Sequence, residues 1–172
     1  IRCCHCNGVI VRKDSQNQFN NPMEFTLEQL SPETVTMIFS NAYYQAEDNL
    51  FRNDESDEEV AVSTAITSNG YHYSVWSDVE QRILKFVLNL NAPEDLSFET
   101  KLKVSNIYDS YPVHAHVWTT DEGKDVIQFV YQHIVPEGVG IGPREIVGVF
   151  RIFEQTAVQH ARAFNRLAEQ VA

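Results

Sequence analysis

In the stretch SPETVTMIFSNAYY, Val35, Ile38, Phe39 and Ala42 recur at i, i+3, i+4 and i+7, one face of a helix. Ser31 is a capping residue, Pro32 suits the first helical position, and Glu33 sits at the positive end of the helix dipole. The spacing therefore predicts a first helix starting at Ser31. Next comes EDNLFRNDESDEE, with Arg52 as its only base, which reads as a solvated acidic loop.

The period then changes from helical to alternating. VAVSTAI (60–66) and YHYSVW (71–76) flank Asn69-Gly70, the dipeptide that favours the tightest hairpin turns. In RILKFVLNL (82–90), Leu84, Phe86, Leu88 and Leu90 share one face. A short DVEQ link makes these three runs a meander. A second helix is predicted over about 98–109, with Val104, Ile107, Tyr108 and Tyr111 as its buried stripe and Pro112 stopping it. VHAHVWTT (113–120) and DVIQFVYQHIV (125–135) follow as two more strands. After PEGVGIG, Gly142 and Pro143 open a long helix whose stripe is Ile146, Phe150, Phe153, Ala157, Ala161, Phe164, Ala168 and Val171. The order α-βββ-α-ββ-α predicts an α+β fold, a five-stranded antiparallel sheet with helices packed mainly on one face.

Alternation also divides the strand residues between two faces. Val113, Ala115, Val117, Leu84, Phe86, Leu88, Ile127, Phe129 and Tyr131 fall on the covered side. His72, Trp76, Ile83, Val87, His114, His116, Trp118, Val126 and Val130 point the other way. An antiparallel sheet tolerates water on one face, but tryptophan and valine there make an apolar patch of the kind that marks an interface. Trp76, His114, His116 and Trp118, with Trp118 near the centre, are the expected protein-binding residues.

Charge narrows the partners. The chain has 172 residues and a net charge of −11, which argues against nucleic acid or an anionic membrane surface. Residues 1–22 sum to +2, so the rest carries −13. This first stretch is rich in Asn and Gln, has no period, and ends just before Met23. It is expected to be an extension outside the core domain, with 23–172 as a single domain and Met23 as its edge or natural start. With 43% hydrophobic and 22% charged residues, the composition is that of a globular protein.

The candidate chemistry is sparse. Cys3, Cys4, His5 and Cys6 crowd the start and are followed by no further cysteine. A structural zinc site wants a second ligand pair, and a redox pair wants a strand-to-helix junction after it; neither follows. With nothing to cross-link the body, the chain reads as cytoplasmic and bacterial in type. His114 and His116 project from one strand face, and with His72 they offer a metal site on which a metal-dependent enzyme could be built. No nucleophile elbow, phosphate loop or zincin motif is present, and the glycines of PEGVGIG fit a tight connection better than a phosphate cradle.

The span from about Ser31 to Ala168 resembles the YbjN family, bacterial proteins described as candidate sensory transduction regulators. The resemblance rests on RILKFVLNL, KVSNIYDSYPVHAHVW and IVPEGVGIGPREIVGVFRIFEQ. Asn106 matches the family's Asn-centred helix segment, and Gly142 with Pro143 matches the turn that opens its last helix. The acidic loop and the Cys-rich start depart from the pattern. The resemblance implies a fold similar to type III secretion chaperones, a homodimer, and a regulatory or chaperone-like role with a possible protein client. It implies no catalytic residue, cofactor or metal, and an acidic chain without catalytic motifs reads independently as a binder.

Overall fold

The computed structural model describes residues 23–52, 59–94, 96–109 and 112–171. Cys3, Cys4, His5, Cys6 and the rest of 1–22 lie outside the described residues, as does Tyr111. Helices α1 (Pro32–Asn41), α2 (Phe98–Tyr108) and α3 (Pro143–Val171) accompany strands β1 (Gln45–Arg52), β2 (Glu59–Ser68), β3 (Tyr71–Asp78), β4 (Ile83–Asn91), β5 (His114–Thr119) and β6 (Asp125–Ile134). The strands form one antiparallel sheet in the order β1-β2-β3-β4-β6-β5.

Local chemistry sets the boundaries. Ser31 Oγ accepts from the Thr34 amide at 3.3 Å to open α1, and Ser97 Oγ does the same for Thr100 at 3.2 Å in α2. Asn69 and Gly70 adopt φ of 52° and 79° between paired Ser68 and Tyr71. Both central residues are thus left-handed, the geometry a two-residue hairpin needs and the reason this dipeptide predicts it.

Among the described residues the sheet has six strands rather than five. Residues Gln45–Arg52 form edge strand β1, in register with β2 from Gln45↔Thr67 to Arg52↔Glu59, although the sequence from Glu47 onward reads as a solvated acidic loop. Alternation hid it because its helix-facing positions are Ala46 and Asp48 rather than large apolar residues. Asp48 is tied to α1 by polar bonding: Thr36 Oγ1 donates to its carboxylate, and buried Thr64 Oγ1 of β2 donates to the Pro32 carbonyl at 2.9 Å. A bulge between Asn49 and Leu50 shifts the register and breaks the period again. Charged residues on an exposed edge also discourage pairing with another sheet.

The helix stripes are part right. Val35, Ile38, Phe39 of α1 and Ile146, Phe150, Phe153, Ala157, Ala161, Phe164 of α3 are buried as the spacing predicts. In α2 the buried positions are Lys101, Val104 and Ser105, while Ile107 is 67% exposed. The stripe is rotated because Lys101 is drawn inward by an ion pair, a preference that apolar spacing does not carry. The side chains of Tyr108, Ala168 and Val171 fall outside the described part.

All three helices bury their faces in one core on one side of the sheet. At its centre the Phe150 ring meets Phe39 at 5.0 Å, Tyr73 at 5.2 Å and Tyr44 at 5.3 Å, each edge-on. Phe153 lies 6.0 Å from Tyr73 and 6.1 Å from Phe86. Phe150→Ala and Phe153→Ala are each expected to destabilise the fold by about 3–5 kcal/mol, the cost of emptying a buried Phe site. Urea unfolding followed by circular dichroism checks this, and unchanged midpoints would show that α3 does not hold the core.

Candidate functional site

The face of the sheet opposite the helices is the candidate site. Pairing brings rows of side chains across it: Ser74 opposite Val87, Val87 opposite Val130, and Val130 opposite His114. Trp76 lies opposite Lys85 and Lys85 opposite Gln132, with the Lys85 ammonium 5.2 Å from the Trp76 ring centre. That geometry is a cation–π contact. Gln128 Nε2 donates to Asn89 Oδ1 at 2.9 Å in the row that ends at His116. Trp118 pairs with Val126 and is 43% exposed.

Two expectations for this face need correction. First, Ile83, Val87, Val126 and Val130 are buried, although no helix among the described residues covers them. Tryptophan, lysine, glutamine and histidine stand in the same or the neighbouring rows, and their longer stems shade these side chains. The face is a polar surface with apolar residues at its base, not a continuous apolar patch. Second, Trp118 does not lie near the centre. It stands on edge strand β5, with β6 and β4 between it and Trp76 on β3.

Strand order also separates the histidines. His72 is on β3, and His114 and His116 are on β5, three strand spacings or about 14 Å away. A metal–nitrogen bond spans about 2 Å, so the three cannot share an ion. No group of three or more His, Cys, Asp or Glu side chains placed to hold a metal occurs among the described residues. His72 Nδ1 instead lies 3.0 Å from Thr67 Oγ1.

Sequence reasoning missed the carboxylate beside His114. Asp109, the residue ending α2, has Oδ1 2.9 Å from His114 Nδ1 and also accepts from the Ala115 amide at 3.3 Å. The hydrogen bond from His114 first, and then that from Ala115, hold the Asp109 carboxyl below the usual carboxylate range. The pair sits exposed on an open face and pins the α2–β5 corner. The two are five positions apart in sequence, but periodicity carries no sign that they meet.

The glycine loop proves structural. Gly138 takes φ of 71° in a turn closed by the Val139 amide on the Pro136 carbonyl at 3.1 Å. A Cβ on Gly140 would lie 2.8 Å from that of Glu24, where Phe25 and Ile141 exchange backbone hydrogen bonds. The Gly142 carbonyl accepts the first amides of α3. Asn106, singled out by the resemblance, is exposed on α2.

A polar cavity of about 460 Å³ lies at the far end of the sheet, lined by Asn91, Ala92, Leu96, Lys101, Lys124 and Asp125 among others. In its wall Lys101 Nζ donates to Asp125 Oδ2 at 2.9 Å and Thr119 Oγ1 donates to Oδ1 at 2.7 Å. Lys101 and Thr119 in that order hold the Asp125 carboxyl below its ordinary range.

The fold defined by these observations is an antiparallel α+β layer pair in which, among the described residues, no helix packs on the second sheet face. No family model matches the chain, and no curated protein matches it by sequence. Among solved structures it is similar to that of YbjN from E. coli, described as a candidate transcription regulator. The TM-score is 0.56 at 10% sequence identity, over 81% of this chain and 93% of that one. The chain therefore has a YbjN-like fold. Among the described residues, no helix is long and apolar enough to cross a membrane.

The Lys101–Asp125 pair makes a pH-dependent prediction. A carboxyl whose folded pKa is lowered adds stability above its unfolded pKa of about 3.9, and that stability is lost as pH falls through the folded value. Lys101→Met should therefore lower the urea midpoint at pH 7, and the gap to the wild type should narrow below about pH 4. Urea titrations at pH 7 and pH 3 measure it; a gap independent of pH would show that Lys101 acts by packing alone.

Proposed function

We propose that the chain is a non-enzymatic regulator that works by binding protein through the uncovered face of its sheet. The observation that carries this reading is Trp118, a large aromatic 43% exposed on a strand face over which no helix lies among the described residues. Aromatic residues are the usual anchors of such contacts, and the rows of Gln, Asn and His around it suit a polar, non-obligate interface. Trp76, His114 and His116 would contribute beside it. The structural neighbour's description as a candidate transcription regulator supports a regulatory role. The net charge of −11 favours action through protein contacts over direct contact with DNA.

In its finer form, the reading is a homodimeric, chaperone-like regulator of a bacterial cytoplasm, acting in sensory transduction on a protein client. This form draws on the resemblance of the sequence to the YbjN family and needs neither metal nor cofactor. Residues 1–22 would be an extension that the domain from Met23 onward does without.

Trp118→Ala should weaken association by about 2 kcal/mol or more, roughly a thirty-fold rise in dissociation constant. Its exposure means that circular dichroism and the urea midpoint should stay near wild type. Light scattering across a concentration series checks this. A wild type that is monomeric throughout would remove the homodimer, and a dimer indifferent to Trp118 would place the interface elsewhere.

A further inference from the structure

A shallow groove of about 460 Å³ runs between α1 and the first turns of α3. Ile38 and Ala42 line it from α1, and Val147 and Gly148 from α3, with Arg144 and Arg151 beside them. At 100° per residue, positions 144, 148 and 151 lie on the side of α3 away from its core stripe of Ile146, Phe150 and Phe153. The groove therefore opens outward from the helix layer, away from the sheet face discussed above.

Gly148 is the informative residue. Glycine is the least favourable residue after proline in a helix interior, and nothing here requires it. It is helical with no left-handed φ, and a Cβ built on it would meet no atom within 4 Å. Neither backbone geometry nor internal packing accounts for it. What its missing side chain does is leave the groove open.

The surface around the groove suits a protein partner. Outside its lining, Met37, one turn before Asn41 on α1, is 48% exposed. Tyr43 is 98% exposed just beyond the groove-lining end of α1, held with φ of 65° by its amide bond to the Ser40 carbonyl. Tyr, Met and Arg are the types enriched in protein contacts. Neither Arg144 nor Arg151 has a carboxylate partner among the described residues; Arg151 Nε donates to the Tyr44 hydroxyl at 3.2 Å. Two arginines without acidic partners, flanking an apolar floor in a chain of net charge −11, select for carboxylates. They are seven residues apart on one helix, a rise of about 10.5 Å, which matches two acidic residues one heptad apart on a second helix.

We propose that this groove docks an amphipathic helix of a protein partner, its apolar side on Ile38, Ala42, Val147 and Gly148 and two carboxylates on Arg144 and Arg151. Residues 1–22 of the chain itself, at +2, carry the wrong charge for the site. The inference uses a different surface from the sheet face, so each stands without the other.

The test uses a fluorescein-labelled synthetic helix of about four turns, with Leu at i, i+3, i+4 and i+7 spacing and two Glu seven residues apart, titrated by anisotropy. Its control carries Lys in place of both Glu. The wild type should bind the Glu peptide at least tenfold more tightly than the Lys peptide. Arg144→Glu, which leaves one positive and one negative group at the site, should abolish that preference. Gly148→Leu should weaken the Glu peptide at least tenfold while raising the thermal midpoint by about 2–4 °C, since a better helix former replaces glycine. That combination separates a filled groove from a damaged fold. Trp118→Ala should leave peptide binding unchanged, which keeps this result independent of the sheet face. Equal binding of both peptides, binding of neither, or full binding by Gly148→Leu would overturn the proposal. Loss of a wild-type dimer in Arg144→Glu or Gly148→Leu would assign the groove to a second copy of the chain and overturn it also.

Discussion

The edge-on contacts around the Phe150 ring are the constraint on which the rest depends. One side chain of α3 touches Phe39 of α1, Tyr44 at the entry to β1 and Tyr73 of β3, and lies 6.2 Å from Phe86 of β4. Edge-to-face rings add directional attraction to the area they bury, so the cluster sets where the helix crosses the sheet as well as that it does. With α3 fixed, its outer side, the space beside α1 and the free face of the sheet are all determined. The tight loop before α3 delivers the helix to that crossing: Gly140 lies against Glu24, and Ile141 pairs with Phe25.

Elements that bury large apolar residues at a fixed period were legible. The α3 stripe, the α1 stripe with its Ser31 cap, and the Asn69-Gly70 hairpin all follow from local chemistry that outweighs context. Elements held by polar contacts were not. Strand β1 turns Ala46 and Asp48 toward the helices, and α2 turns Lys101 inward, so in both the apolar period is absent or points the wrong way. These residues find their partners across the chain, from Thr36 to Asp48 and from Lys101 to Asp125, and no local window contains both members.

The candidate site was legible by face and illegible by position. Alternation placed His72, Trp76, His114, His116 and Trp118 on one side of the sheet correctly, because side-chain direction in a strand is a local property. Strand order is not local. The last hairpin pairs with β4 through β6 rather than β5, which puts Trp118 at the edge and His114 and His116 far from His72. The same order explains the shaded valines. Val87 and Val130 sit on the adjacent interior strands β4 and β6, where neighbouring rows on both sides carry longer side chains. An apolar residue on an open face is therefore not by itself exposed, and of the two tryptophans only Trp118 is exposed rather than half-buried.

The two ends of the molecule show how a nonpolar core acquires a single register. Hydrophobic burial is non-directional, so the stripe of α3 and the faces of α1 and α2 would tolerate small slides along the sheet. Hydrogen bonds do not tolerate them, because they weaken steeply with distance and angle. At one edge Thr36 donates to Asp48, and Thr64 to the Pro32 carbonyl, fixing α1 over β1 and β2. At the other, Lys101 and Thr119 converge on Asp125 while Asp109 receives the Ala115 amide, fixing α2 over β5 and β6. Asn69 Nδ2 donates to Glu154 Oε1 at 2.9 Å, which ties the β2–β3 turn to α3 between those edges. The aromatic centre supplies the cohesion, and the polar anchors around it select one arrangement from the several that cohesion alone would allow.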